Sequence, residues 1–239
     1  MDTEPPPLKT PLNPRVPNDY IIIVTSQKYE EACDLLLATL NGKWPRDNII
    51  VVTNGSPRDS VTIEKGKGIT VFTQSNIFEY TAFLVPYWLR EYGVWGSDDD
   101  AFLLLHATSK ALGDFRNLAT KAFQEFHAQR LNILWCSNTG QCNICIIDRP
   151  TSELTYSKLG SVHTMDKMVA ISMEWNTHPD SIKKYTGLKQ AFAQNPTFMT
   201  GTRTPYASGI ERETLHFPFI DVEKYFINVH ESSQHANIP

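Results

Sequence analysis

The tightest constraint on how this chain folds is a set of short apolar runs that do not alternate. Tyr20-Ile21-Ile22-Ile23-Val24, Ile49-Ile50-Val51-Val52, Ile69-Thr70-Val71-Phe72 and Ala101-Phe102-Leu103-Leu104-Leu105 carry apolar or β-branched side chains at every position. Successive side chains of a strand point to opposite faces, so such a strand must be covered on both. That condition is met by a parallel sheet between layers of helices. The intervening segments fit it. Tyr29, Cys33, Leu36, Leu37 and Leu40 recur at helical spacing after Ser26, a candidate N-cap, and run to Gly42 as a stop. Asn76 to Glu91 reads as a second helix, with Asn76 and Glu79 spaced as a capping box and Pro86 as an expected kink. The order strand, helix, strand, strand, helix, strand predicts the α/β class: a single Rossmann-like domain with a mostly parallel central sheet, helices on both faces and right-handed crossovers.

A further helix is expected over about Asn117 to Phe126. Asn132 to Cys136 and Cys142 to Ile147 are apolar runs joined by a hairpin-like Ser-Asn-Thr-Gly-Gln segment. Residues 151–195 read as mainly helical, and the chain beyond Thr197 as loop and short strand. The domain is expected to span 20–230. A leader over 1–19 precedes it, with Pro5, Pro6, Pro7, Pro11, Pro14 and Pro17. Such a segment cannot sustain a hydrogen-bond ladder and reads as a flexible arm, or as a strap for a protein partner. Residues 231–239 read as a frayed tail.

Composition narrows the function classes. The chain has 239 residues, 41% of them hydrophobic, and a formal net charge of −4, which argues against nucleic-acid binding by phosphate neutralisation. No run approaches the roughly 20 apolar residues that cross a bilayer, and the N-terminus lacks the basic and apolar regions of a secretory signal. A cytoplasmic protein is expected, with Cys33, Cys136, Cys142 and Cys145 as thiols. Cys142 and Cys145 have zinc-like spacing, but a second ligand pair is missing, and the apolar surroundings favour buried strand cysteines.

In an open parallel sheet, ligands bind outside the carboxyl ends of the strands. Four tips are thereby singled out: Thr25-Ser26, Thr53-Asn54-Gly55, Thr73 to Asn76, and His106-Ala107-Thr108. All are rich in short polar groups suited to a base, ribose or phosphate. Neither a dinucleotide fingerprint nor a P-loop is present.

The runs NIFEYTAFLVPYWL (76–89), FLLLHATSKALGDF (102–115) and FPFIDVEKYFIN (217–228) resemble sugar-nucleotide transferases of the GT-A fold found in bacteria and large viruses. The resemblance implies a GT-A-type domain that moves a sugar from a nucleoside-diphosphate donor to an acceptor hydroxyl. It places Thr25, Ser26, Asn54, Gly55, Asn76 and Glu79 beside the nucleotide, and His106, Thr108 and Lys110 beside the diphosphate. Asp148 or Glu153, after the sixth apolar run, would be the general base. It also implies Mg²⁺ or Mn²⁺ held by an acidic motif at the fourth strand tip, with His106 and a late histidine, His216, as candidate ligands. Here Ala107 stands where that acidic residue is expected. Metal binding is therefore expected to be weak or absent, and a non-catalytic binding or structural module is the alternative. Asp98–Asp100 precedes its strand, so it falls at the amino edge, roughly 16 Å away at about 3.3 Å per residue. Plain structural roles compete at each position: helix caps for Asn76, Glu79 and Asp148, a solvated charge for Glu153 and Lys110, a packed strand end for His106.

Overall fold

The computed structural model describes residues 18–77, 80–94, 97–138, 144–159, 188–194, 198–206 and 210–225. The leader up to residue 17, Glu79, Cys142, the stretch 160–187 expected to be helical, and the tail lie outside the described residues. In chain order the elements are β1 (Asp19–Ser26), α1 (Glu30–Leu40), β2 (Ile49–Asn54), β3 (Ser60–Glu64), β4 (Gly68–Thr73), α2 (Thr81–Glu91), β5 (Ala101–His106), β6 (Ser109–Ala111), α3 (Phe115–Gln129), β7 (Ile133–Trp135), β8 (Cys145–Ile147), α4 (Arg149–Leu159), β9 (Gln190–Phe192), β10 (Phe198–Tyr206), β11 (Ile210–Phe217) and β12 (Val222–Tyr225).

The main sheet has the order β3-β4-β2-β1-β5-β8-β7-β9. All four strands expected from the apolar runs are neighbours in it, and β4, β2, β1 and β5 run parallel. β3 and β8 are antiparallel to their neighbours, while β7 and β9 run with β1. The fold is thus α/β, with a large, mostly parallel sheet flanked by helices.

Both faces of β1 are covered, as its composition requires. Ile21 and Ile23, with Leu103 and Leu105 of β5, pack under Leu36 and Leu40 of α1 and Phe115 and Phe123 of α3. Ile22 and Val24, with Phe102 and Leu104, pack under Phe83, Val85 and Leu89 of α2. Each such side chain withdrawn from water contributes about 1.5–3 kcal/mol before chain entropy is set against it.

One helix boundary and two strands differ from the sequence expectation, and β9 falls inside the stretch 151–195 that reads as mainly helical. α2 starts at Thr81, so Asn76 lies in the preceding loop and is not the helix cap; Tyr80 holds that position. Buried Pro86 lies inside α2, where it withholds the N–H that the Ala82 carbonyl would otherwise accept. β3 escaped the search for buried runs because it forms the sheet's edge and is largely exposed, with Ile63 at 59%.

A smaller sheet, β10-β11-β12-β6, stands beside the carboxyl end of β5. β6 has only three residues, and α1 serves its other side. The Ala111 N–H donates to Thr39 Oγ1 at 3.1 Å, and Lys43 Nζ donates to the carbonyls of Ala111 and Leu112 at 2.8 and 2.6 Å.

Two tests follow from this packing. Gly68 has φ +85°, and a Cβ there would lie 2.5 Å from the Ile49 carbonyl oxygen and 2.6 Å from that of Arg46. Gly68→Ala is expected to cost at least about 2 kcal/mol, read as a lower urea midpoint at unchanged m. His127, in the last turn of α3, pairs with Asp19 at the start of β1, Nε2 to Oδ1 at 2.8 Å. That hydrogen bond raises the imidazole pKa above 6.5 against the opposing effect of burial. The folded state therefore holds this proton more tightly than the unfolded chain. The contribution is fully present below about pH 6.5 and is lost as pH rises through the higher folded-state value. Urea titrations at a series of pH values should show the stability gap between the native protein and His127→Gln closing as pH rises from about 6.

Candidate functional site

β1 and β5 are adjacent and parallel, with Val24 opposite His106. The chain leaves β1 for α1 on one face of the sheet and reaches β5 from α2 on the other. The crossovers diverge between these two strands, so their carboxyl tips flank the topological switch point, where an open sheet leaves a crevice.

Ser26, Asn54, Thr73 and His106 terminate the parallel strands along this edge. Thr25 and Asn54 are nearly buried, and Thr25 turns its hydroxyl to the Ser26 carbonyl at 3.3 Å. Gly55 and Asn76 are exposed and close together: a Cβ on Gly55 would lie 3.7 Å from Asn76 Nδ2. The Gly55 N–H bonds to the Ser75 carbonyl at 3.2 Å, which joins the β2 and β4 tips into one lip. Of the nucleotide-side candidates, Thr25, Ser26, Asn54, Gly55 and Asn76 therefore share the expected edge. A cavity of about 130 Å³ adjoins it, lined by Asp59, Thr73, Ser75, Trp88, Tyr92 and Tyr156 among others.

The smaller sheet closes the β5 tip. The Tyr225 N–H donates to the Thr108 carbonyl at 2.8 Å, and Lys224 lies opposite Ser109. From there Lys224 Nζ reaches His106 Nδ1 at 2.8 Å, although Lys224 is only 9% exposed. His106 and Thr108 are half-buried at this tip. Lys224 and His106 thus meet at the β5 tip.

Other candidates are not brought to this pair. Lys110, Glu223 and His216 are aligned across β6, β12 and β11, and cross-strand partners share a face. That face is opposite to the one carrying Ser109 and Lys224. His216 instead pairs with Asp221, Nε2 to Oδ1 at 3.2 Å, while Asp221 Oδ2 accepts the Asp114 N–H at 2.8 Å. His106 and His216 therefore do not form a joint metal site. Among the described residues, no group of three or more His, Cys, Asp or Glu side chains converges to hold an ion.

Both candidate bases lie at the wrong edge. β8 is antiparallel to β5, with Ile147 opposite Phe102, so the residue after β8 emerges at the amino ends of the parallel strands. Asp148 is about five residues, roughly 16 Å, from the His106 tip. Its carboxylate caps α4 by accepting the Thr151 N–H at 2.9 Å, and it accepts Asn132 Nδ2 at 2.5 Å. Burial raises its pKa, against the pull of these hydrogen bonds. Glu153 is tied to Arg90 at 2.5 Å. A strand's direction is invisible in its apolar run, which is why these two carboxylates read as candidates.

The acidic turn Asp98–Asp100 also sits at the amino edge, as expected, with Asp98 and Asp99 exposed and only Asp100 buried. Asp98 pairs with buried Arg149, and Asp100 is 2% exposed and accepts the Asn18 N–H at 3.0 Å. Cys33, Cys136 and Cys145 are buried thiols outside any disulfide, and burial raises their pKa, that of Cys33 to about 11.

Two features of the edge were missed. Lys224 lies in the run FPFIDVEKYFIN, which carries no sign of its pairing with β6. Ser137 and Asn138 follow β7, which runs with β5, so they emerge at the ligand edge as well.

Ala107 lies between His106 and Thr108 at this tip. It is 3% exposed, packs with the α1-side core and continues the ladder by donating its N–H to the Val24 carbonyl at 3.0 Å. Its side-chain direction leads into the core and away from the crevice. With no oxygen at Ala107, a hydroxyl at Thr108 and His106 Nδ1 bonded to Lys224, the described tip does not fit Mg²⁺ or Mn²⁺, which favour carboxylate and water oxygens. Ala107→Asp would bury an unpaired charge. It is expected to lower stability by about 3 kcal/mol or more without conferring Mn²⁺ affinity, as checked by urea denaturation and calorimetry.

No protein-family model matches the chain, and no curated protein is similar enough in sequence to count as a match. Among solved structures, the chain is similar to the glycosyltransferase GlyE of Streptococcus pneumoniae TIGR4. The identity is 10% and the TM-score 0.40, over 75% of this chain and 46% of that protein. The match therefore spans less than half of GlyE's length.

Proposed function

We propose that this domain binds a nucleoside-diphosphate sugar at the carboxyl edge of its sheet and transfers the sugar to an acceptor hydroxyl. The carrying observation is the switch point between β1 and β5, bordered on one edge by Ser26, Asn54, Gly55, Asn76, His106 and Thr108. Ser26, Gly55 and Asn76, with Thr25 and Asn54 behind them, would border the base and ribose. His106 and Thr108 would meet the diphosphate.

In the transfer, the acceptor oxygen bonds to the anomeric carbon as the bond from that carbon to the diphosphate oxygen breaks. The diphosphate leaves with the electron pair, and the hydroxyl proton passes to a base. Negative charge grows on the leaving group, so a positive group fixed at that point accelerates the step. Asp148 and Glu153 are too distant for the base, and this favours a second reading: a module that binds the nucleotide sugar without turning it over.

The test is a panel of nucleoside-diphosphate sugars measured by thermal shift, with and without Mn²⁺, followed by transfer and hydrolysis assays on each hit. At about 100 times Kd, one donor class should raise Tm by at least about 5 °C. Absence of a shift with every donor would overturn both readings, and binding without turnover would select the second.

A further inference from the structure

We propose that the cavity between β4 and the α2–α4 pair binds a small organic ammonium ion, its methylated head among Trp88, Tyr92 and Tyr156 and its charge against Asp59. This ligand is a second one, and its site does not rest on the nucleotide-sugar reading above.

Tyr92 closes the last turn of α2 by donating its N–H to the Trp88 carbonyl at 2.9 Å, so the two side chains share a helix face. Tyr156 comes from α4, which is fixed against α2 at three points. Ser152 Oγ accepts the Tyr87 N–H at 2.9 Å, Arg90 pairs with Glu153 at 2.5 Å, and the Tyr87 and Tyr156 rings stack with centroids 3.9 Å apart. The aromatic wall is thereby held in place before any ligand arrives. On the sheet side, Asp59 precedes β3 and accepts the Gln74 N–H through Oδ1 at 2.8 Å, which pins its carboxylate at the β4 tip. The Tyr92 phenol has a raised pKa, chiefly from burial and next from the Asp59 charge, so ring and carboxylate are neighbours. The space these groups line is about 130 Å³. Drug-sized ligands occupy roughly 300–1,000 Å³, so this cavity suits a small head group. Aromatic faces carry negative charge, and Asp59 is the only charged residue among the described residues that line the cavity. Both features attract a cation and repel phosphates and carboxylates. One carboxylate is too few to hold a bare divalent ion, whereas methyl groups on nitrogen match the apolar walls.

Choline and tetramethylammonium are the probes, titrated by NMR into the native full-length chain. The alcohol in which carbon replaces choline's nitrogen serves as the uncharged isostere. Choline should bind saturably, and the isostere at least about fivefold more weakly, the scale of ring and carboxylate attraction together. The indole N–H signal that disappears in Trp88→Phe should be among those that choline shifts. Asp59→Asn keeps an oxygen for the Gln74 N–H but removes the charge, and Tyr92→Leu removes a ring that is 53% exposed. Each should weaken choline binding at least about twofold, while Tyr92→Phe retains it. The isostere comparison uses the native chain, so it decides the matter even where a variant is unstable. Equal affinity for choline and its isostere, no saturation with either ammonium ion, or shifts indifferent to Trp88 and Tyr92 would overturn the site. Monosaccharides that bind there in preference to choline would overturn it in favour of a saccharide pocket. The donor thermal-shift panel is unaffected by any of these results.

Discussion

The fold depends on one strand that is used on all four sides. β1 is hydrogen-bonded along its length to β2 and β5, and its residues Ile21, Ile22 and Ile23 are fully buried between α1 and α2. Only an apolar, β-branched run satisfies that position, because each face needs side chains and each edge needs an unbroken ladder. The tip of β1 then has no freedom. Ser26 must end beside Asn54 and, one strand over, beside the turn after His106. The candidate crevice is a by-product of packing β1 this way.

Residues meeting two-sided burial were readable directly. The runs at 20–24, 49–52, 69–72 and 101–105 became four parallel strands because continuous apolarity has no other comfortable environment. The edge strand β3 was not readable, since half of its surface faces water and Ser60, Thr62 and Glu64 look like loop residues. The onset of α2 differs for a related reason: Asn76 has the chemistry of a cap, but it lies in the loop beside Gly55, before the helix begins.

The candidate site divides along the same line. The tips of β1, β2, β4 and β5 followed from the strand assignments and the rule that ligands gather at carboxyl ends. Asp148 required knowing that β8 runs backwards, and Lys224 required knowing that β12 pairs with β6; both are long-range facts. A single sequence encodes them only through turn geometry and packing, and the residues leading into β8 and the approach to β10 carry no short signature of direction. Glycine and capping chemistry speak locally, and the position of a functional charge in space does not.

The support that α1 gives to β6 has a mechanical consequence. Thr39 and Lys43 bind the backbone of Ala111 and Leu112 from the far end of the helix that follows Ser26. One lever therefore joins the two walls of the crevice: its near end follows the β1 tip, and its far end grips the short strand against which Lys224 is registered. A displacement of α1 cannot widen one wall alone. The β1 tip and the strand paired with Lys224 are tied to the same helix.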